Sequence, residues 1–426
     1  MVAIIVSHLS PLLFHFIYVL LMSVFLFSLF SIAESVWSIT DVEKVVVLYI
    51  ALITVNSAAF YFLRKLLFYG VAYQYILGTS LQPSTFGVLL LASVAFFLKK
   101  RSVLSVLLAA MASVIHPTYL ICSAVLIFCY LKQFQKDGLP LKKIVGLVFV
   151  SLAVVSYCIL YSLHHFIHAS PTGEDVALRI LVNMRIPHHA IPARWFDWST
   201  AVKLLVVLVT LFVSRKTRIF SVLFYLTAIG GALSLAVVIT DNVRLALLFP
   251  WRVSVLLLPM CAALLIGYGI QRLPTTKLKR RGRLSAAYLT VLSVVGIGVS
   301  LYMFHLFETA PNIPVNEYVK RTKKSGEIYL VRPQMKQFRL RAEASIFVDY
   351  KTHPFKSTEI VEWNRRVAIA DKIYNSVGGE RCEAVENVRQ EYAVTHIVYD
   401  STTILDCEGW LMTYRDKRNS IYRYGE

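Results

Sequence analysis

Apolar runs of roughly 15–25 residues recur from Pro11 to about His305, and that repetition constrains this chain more than any other feature. Runs of that length and number exceed what a soluble core can cover. They imply a polytopic α-helical membrane protein. The composition agrees, with 57% hydrophobic and 16% charged residues. The first run, Pro11 to Ala33, has no Lys or Arg before it and is longer than a signal-peptide core, so it reads as a retained span.

The net charge of +19 invites a nucleic-acid reading, but its distribution opposes one. Residues 1–311 hold 25 Lys and Arg against 9 Asp and Glu, whereas residues 312–426 hold 19 against 16. The excess sits in short loops: Arg64-Lys65, Lys99-Lys100-Arg101, Lys132 to Lys143, Arg215 to Arg218, and Lys277 to Arg283. Basic short loops favour the cytoplasmic side. The charge is therefore a topology signal with some attraction to anionic lipid, and no nucleic-acid partner is expected.

Placing those loops inside gives spans at 10–33, 45–63, 67–80, 84–98, 102–115, 117–131, 144–166, 200–214, 219–240, 246–271 and 284–307. That is about eleven crossings, some short or re-entrant, in an inner membrane. The N-terminus is expected in the cytoplasm and residues 312–426 outside it. Residues 103–131 read as a hairpin broken at His116-Pro117-Thr118, which keeps both flanking basic clusters on one side. Two domains follow: 1–311 in the membrane and 312–426 soluble. The tail has β-rich runs at 327–331, 345–349 and 395–399. Helical spacing of Ile360, Trp363, Val367, Ala370 and Tyr374 lies between them. That order, closed by a hairpin, describes a small extracytoplasmic α/β domain. Cys382 and Cys407 are the only cysteines of the tail. They form a disulfide if the tail is outside and remain a reduced pair otherwise. Cys122, Cys129, Cys158 and Cys261 read as small apolar residues of the spans.

The residues with chemistry gather in the expected outer loops. Asn183 to Trp198 packs two Arg, two adjacent His, two Pro, two Trp and an Asp into sixteen positions. Its prolines interrupt helix, its tryptophans suit a membrane interface, and Arg185, His188, His189 and Arg194, with Arg179 upstream, could grip an anionic head group. The plainer alternative is an interfacial loop with snorkelling cations. Arg252, in Phe249-Pro250-Trp251-Arg252, lies just inside a span, where a charge needs a partner or water. His116 reaches the same side. Glu34, Asp41 and Glu43 form an acidic first loop. The Asp41-Val42-Glu43 pair could act as a base or hold a divalent cation, or be a solvated loop end. His164 and His168 have a metal-ligand spacing, and with His165 they also suit an interface; no cofactor is otherwise expected. In the tail, Asp349, Lys351 and His353 follow a strand, a common ligand position in α/β folds, and could form a second wall to the membrane pocket. No P-loop or GxSxG elbow is present.

This layout, with Asp41 and Glu43 in the first outer loop and a soluble tail, resembles the GT-C superfamily of membrane glycosyltransferases. The resemblance implies sugar transfer from a polyprenyl-phosphate donor, with Asp41 or Glu43 as base or metal holder. The chain is also similar to an uncharacterised family of bacterial multi-pass proteins with a C-terminal domain of unknown function. The likeness lies in Gln82 to Gly87 leading to His116-Pro117-Thr118-Tyr119, in Arg185 to Phe196, and in Phe338 to Leu340, Phe347 to Lys356, Glu359, Glu362-Trp363 and Arg365-Arg366. The expected function is outer-leaflet glycosyl or related group transfer. In that scheme Arg185, His188, His189, Arg194 and Arg252 hold the lipid phosphate and His116 completes the pocket. The alternative is a non-catalytic membrane component for lipid or polysaccharide transport or assembly. Membrane lipid is the expected partner in either case.

Overall fold

The computed structural model describes residues 11–78, 81–166, 171–274, 282–354 and 356–425. The chain divides into two compact units. One comprises Met1–Ile167 with Ile186–Gly298, and the other His168–Arg185 with Val299–Glu426.

The longer helices of the first unit are α1 (Pro11–Trp37), α2 (Val42–Asn56), α3 (Tyr61–Leu67), α4 (Val88–Leu98), α5 (Ser102–Ile115), α6 (Leu120–Lys136) and α7 (Leu141–Phe166). After α8 (Pro171–Ile180), which belongs to the second unit, come α9 (Trp198–Ser214), α10 (Phe220–Thr240) and α11 (Ser254–Gln271). Among the described residues, five helices are long and apolar enough to cross a membrane: Phe16–Trp37, Pro117–Lys136, Leu141–Tyr161, Phe220–Thr240 and Val243–Gln271. The bent pair α2–α3 would make a sixth. The other apolar runs give shorter helices, such as α4 with 11 residues and α5 with 14. At 1.5 Å per residue these fall short of a hydrocarbon core of about 30 Å. Length alone therefore does not yield eleven crossings.

α4 is apolar all round because it is central: eight of its 11 residues are buried. α5 and α6 fold back on each other about His116. Ser123 Oγ donates to Ala109 O across the pair, and the two residues are equally far from His116. That is the expected hairpin.

The run at 67–80, expected as a span or re-entrant segment, is not helical from 68 to 78. Gly70 approaches so closely that a Cβ there would meet Ser254 Oγ at 2.6 Å and Val255 N at 2.9 Å. Ala72 and Tyr73 are both left-handed, with φ of 56° each. The backbone polar groups are met from other elements instead. Lys203 Nζ donates to Gly70 O, Val71 N donates to Ser254 Oγ, and Arg64 Nη2 donates to Leu77 O. Irregular backbone inside an apolar bundle persists only where protein or a cavity satisfies it.

The expected sides of the first loops are corrected. Trp195 and Trp251, just before α9 and α11, are 5.2 Å apart, so these packed helices start at one end and run the same way. α9 leads to Arg218, which pairs with Asp137 at 2.5 Å and lies over Phe97. The bundle thus has an Arg218 end and a His116 end. Trp37 Nε1 donates to Leu264 O and Lys44 Nζ to Gln271 O. Glu34 to Lys44 therefore sits at the Arg218 end, with the basic loops. α1 begins at the other end, where Tyr18 OH donates to Gly78 O, so its start does not share a side with those loops. Arg64 and Lys65 are at the His116 end as well. Counting each apolar run as one crossing produced the inverted assignment, because the segment after α3 turns back without forming a helix.

The second unit carries a five-stranded sheet in the order β2-β1-β3-β5-β4. Its strands are β1 (Ile328–Leu330), β2 (Ser345–Ile346), β3 (His396–Asp400), β4 (Trp410–Arg415) and β5 (Asn419–Tyr424). β1 is parallel to β2 and β3, and β3, β5 and β4 are antiparallel. Side chains alternate. Tyr329, Val331, Val398 and Ile421 pack on the helix Ile313–Thr322, while Leu330, Ile397, Tyr399 and Tyr422 pack on Ser357–Asn375 and Gly378–Tyr392. Ala177 and Ile180 of α8 join the second of these cores, so His168–Arg185 folds with the C-terminal residues. Cys382 and Cys407 are joined in a disulfide.

Candidate functional site

A cavity of about 260 Å³ opens at the His116 end. His116 ends α5 because Pro117 disfavours helix in the residue before it, and its backbone is extended, with φ −140° and ψ 97°. Arg252 is presented by a strained turn. Phe249 is left-handed at φ 48°, and Pro250 then starts a 3-10 turn. Such a conformation costs a bulky residue about 1–3 kcal/mol and is held by its surroundings.

Arg252 Nη1 donates to His116 Nε2 at 2.7 Å and to Thr118 Oγ1. His116 Nε2 must therefore be an acceptor, so this ring is neutral. Tyr119 and Phe249 flank the guanidinium, with ring centroids 5.8 and 5.5 Å from it. Nε is buried without a partner, and among the described residues the hydrogen bonds of this guanidinium run through Nη1 alone. Nε and Nη2 form the edge of a guanidinium that receives two oxygens of one phosphate or carboxylate. Among the described residues no carboxylate lies within salt-bridge distance of Arg252, and the lining of the cavity contains no Asp or Glu.

Two further groups face this cavity. His189 lies on the one-turn helix Pro187–Ala190, and its Nδ1–H donates to Ala72 O at 2.6 Å, since a carbonyl can only accept. Gln74 is 4% exposed, and neither Nε2 nor Oε1 has a hydrogen-bond partner. Buried polar groups are nearly always paired, so an orphaned amide at a cavity wall suits a ligand.

The structure thus brings together three of the expected residues, His116, His189 and Arg252. His188 packs against His189 at 4.1 Å between ring centroids, with the rings tilted, but is not part of the lining. Arg194 is exposed. Asp41 and Glu43 are not brought to this cavity. Asp41 caps α2, its Oδ1 accepting from Glu43 N and Lys44 N, and it sits at the Gln271 end of α11. That helix has 18 residues, which puts the carboxylates about 27 Å along it from Arg252. Glu43 and these amides hold the Asp41 carboxyl below the usual carboxylate range.

Arg185 belongs to the second unit. Its Nε donates to His353 Nδ1 at 3.3 Å and its Nη2 to Lys351 O. Burial, and then the Arg185 guanidinium, hold His353 below the usual histidine range. Asp349 is 1% exposed and lines a separate cavity of about 450 Å³ with Arg339, Glu362, Trp363 and Arg366. Its Oδ1 accepts from Lys351 N, Thr352 N and Thr352 Oγ1, which shapes the loop after β2. Lys351 is exposed. His168 lies outside the described residues. Among those described, no group of three His, Cys, Asp or Glu could hold a metal.

Gln74, Thr118 and Lys203 escaped the sequence reading. For Lys203 a signal existed, a lone cation in an apolar helix. For Gln74 none did, because its isolation arises only from packing.

Residues 310–370 match a family model described as a domain of unknown function, DUF6798. The match contains Asp349, Lys351 and His353 and none of the residues around Arg252. No curated protein matches the chain.

Proposed function

We propose that this chain is a multi-pass membrane protein that holds a phosphate-bearing lipid head in the His116–Arg252 cavity, with polyprenyl phosphate as the candidate lipid. The observation that carries the reading is the guanidinium of Arg252. His116 and Thr118 fix it through Nη1, and its Nε and Nη2 edge is left open. Cations without counter-charge inside an apolar bundle favour an anionic ligand. Most of the basic loops gather at the Arg218 end, which by the positive-inside rule favours the cytoplasm for that end and the outer face for the cavity. The Cys382–Cys407 disulfide favours an oxidising compartment for the C-terminal unit.

Of the two roles open to such a site, a part in lipid or polysaccharide transport or assembly is favoured over glycosyl transfer. A transferase of the GT-C kind needs a carboxylate beside the donor phosphate, and the nearest expected pair, Asp41 and Glu43, is a helix length away.

Binding of polyprenyl phosphate to wild type and to Arg252→Lys tests the reading. Lysine keeps the charge but cannot form the fork. Loss of one charge-assisted hydrogen bond, about 1.5–3 kcal/mol, predicts roughly 10- to 150-fold weaker binding. Equal affinity in the two proteins, or no binding to either, overturns the proposal.

A further inference from the structure

A second cavity, also about 260 Å³, lies at the same end of the first unit and shares only Tyr73 with the Arg252 cavity. Three observations make it a built site. Lys203, in the second turn of apolar α9, is 8% exposed and its Nζ donates to Gly70 O at 3.0 Å. Among the described residues no carboxylate is within 4 Å of it and its ammonium has no second hydrogen-bond acceptor. Trp195 is 7% exposed, and its Nε1–H has no partner. Asp197 caps α9 through Oδ1, which accepts from Ser199 Oγ, Thr200 N and Thr200 Oγ1, while no hydrogen bond reaches Oδ2. Lys65 completes the lining from α3.

The cavity therefore offers two cations, an indole N–H and one open carboxylate oxygen among its lining residues. A phosphodiester fits the cations and the indole N–H, and a primary ammonium fits the carboxylate oxygen. Beside it the rings of Phe62 and Trp198 stack on the surface at 6.5 Å, and both are largely exposed. That is an apolar bed for acyl chains next to an interfacial tryptophan. We propose that this cavity binds the head group of an aminophospholipid, with Lys203, Lys65 and Trp195 on the phosphodiester and Asp197 on the ammonium. The inference rests on the membrane reading of the chain but not on the Arg252 site.

Full-length protein in detergent would be titrated with phosphatidylethanolamine, phosphatidylglycerol and phosphatidylcholine of identical chains, and with soluble phosphoethanolamine, with bound lipid read by native mass spectrometry. The ethanolamine lipid should bind about tenfold tighter than the choline lipid, which has no N–H to donate. Asp197→Asn should erase that preference while leaving the fold intact, because Asn caps a helix as well as Asp does. Lys203→Met should weaken all three lipids. Lys65→Gln, at an exposed position, should do the same to a smaller degree and guards against misfolding of the buried variant. Equal binding of the choline lipid, tighter binding of the glycerol lipid, or an unchanged preference in Asp197→Asn would overturn the proposal. Phosphoethanolamine competing at the same concentration as the lipid would overturn the lipid assignment.

Discussion

Replacing Gln74 by methionine should make the ligand-free protein more stable and the lipid-bound protein weaker. The side chain is 4% exposed and both of its polar atoms lack partners. Each buried unpaired polar atom costs about 1–3 kcal/mol, so the amide burdens the empty protein by roughly 2–6 kcal/mol at most. Methionine matches its length, removes both atoms and adapts to an irregular space. Part of the penalty is already relaxed by the adjoining cavity, so the expected gain is at the low end, about 1–3 kcal/mol. For domains of 150–250 residues each kcal/mol raises the midpoint by about 2–4 °C. The assay is the unfolding midpoint in detergent at one fixed scan rate, without lipid and with saturating polyprenyl phosphate. The Met variant should melt higher than wild type without lipid and gain less from adding it. A Met variant that melts lower, with an unchanged lipid-induced shift, would show that Gln74 is a satisfied structural group and would remove it from the site. The opposite signs matter because a purely structural residue moves both midpoints together.

Two predictions concern the second unit. Reducing or replacing the Cys382–Cys407 pair, with 25 residues of separation, should destabilise it by about 3 kcal/mol through regained chain entropy, measurable as a lower denaturant midpoint with and without reductant. His353 titrates below the usual histidine value when folded, because of burial and Arg185. The unfolded chain therefore takes up the proton first as pH falls below about 6.5. Stability from this residue is present above that pH and is lost as pH falls toward the folded value. His353→Asn should flatten the stability profile between pH 7 and 5, read by the fluorescence of nearby Trp363; an unchanged slope would show that another group carries it.

The tail was the most legible region. Short β-branched runs, the 3.6-residue spacing of Ile360, Trp363, Val367 and Ala370, and two lone cysteines pointed to its strands, its long helix and the disulfide. These signals are local, because a strand or helix face writes its period into neighbouring residues. The hairpin at His116-Pro117 was legible for the same reason, since proline acts on the residue beside it. The candidate site was only half legible. Arg252, His116 and His189 stood out as polar groups in apolar surroundings. Their assembly into one cavity depends on the non-helical segment that contains Gly70 to Tyr75.

By itself the sequence determined that the chain is helical and apolar enough to cross a membrane, that most of its excess positive charge falls in short stretches between apolar runs, and that a small α/β unit follows. Hydropathy and periodicity are sums over nearby residues, and no packing can reverse them. Only the tertiary structure decided which loops share an end. It moved Asp41 and Glu43 to the Arg218 end and gave Arg185 to the second unit. It also opened two cation-lined cavities on either side of Tyr73. The physical reason is that an apolar run does not state whether it crosses, turns back or stays irregular. That choice is made by contacts far apart in the chain: the close approach of Gly70 to Ser254, the bond from Lys203 to Gly70, and the bond from Lys44 to Gln271.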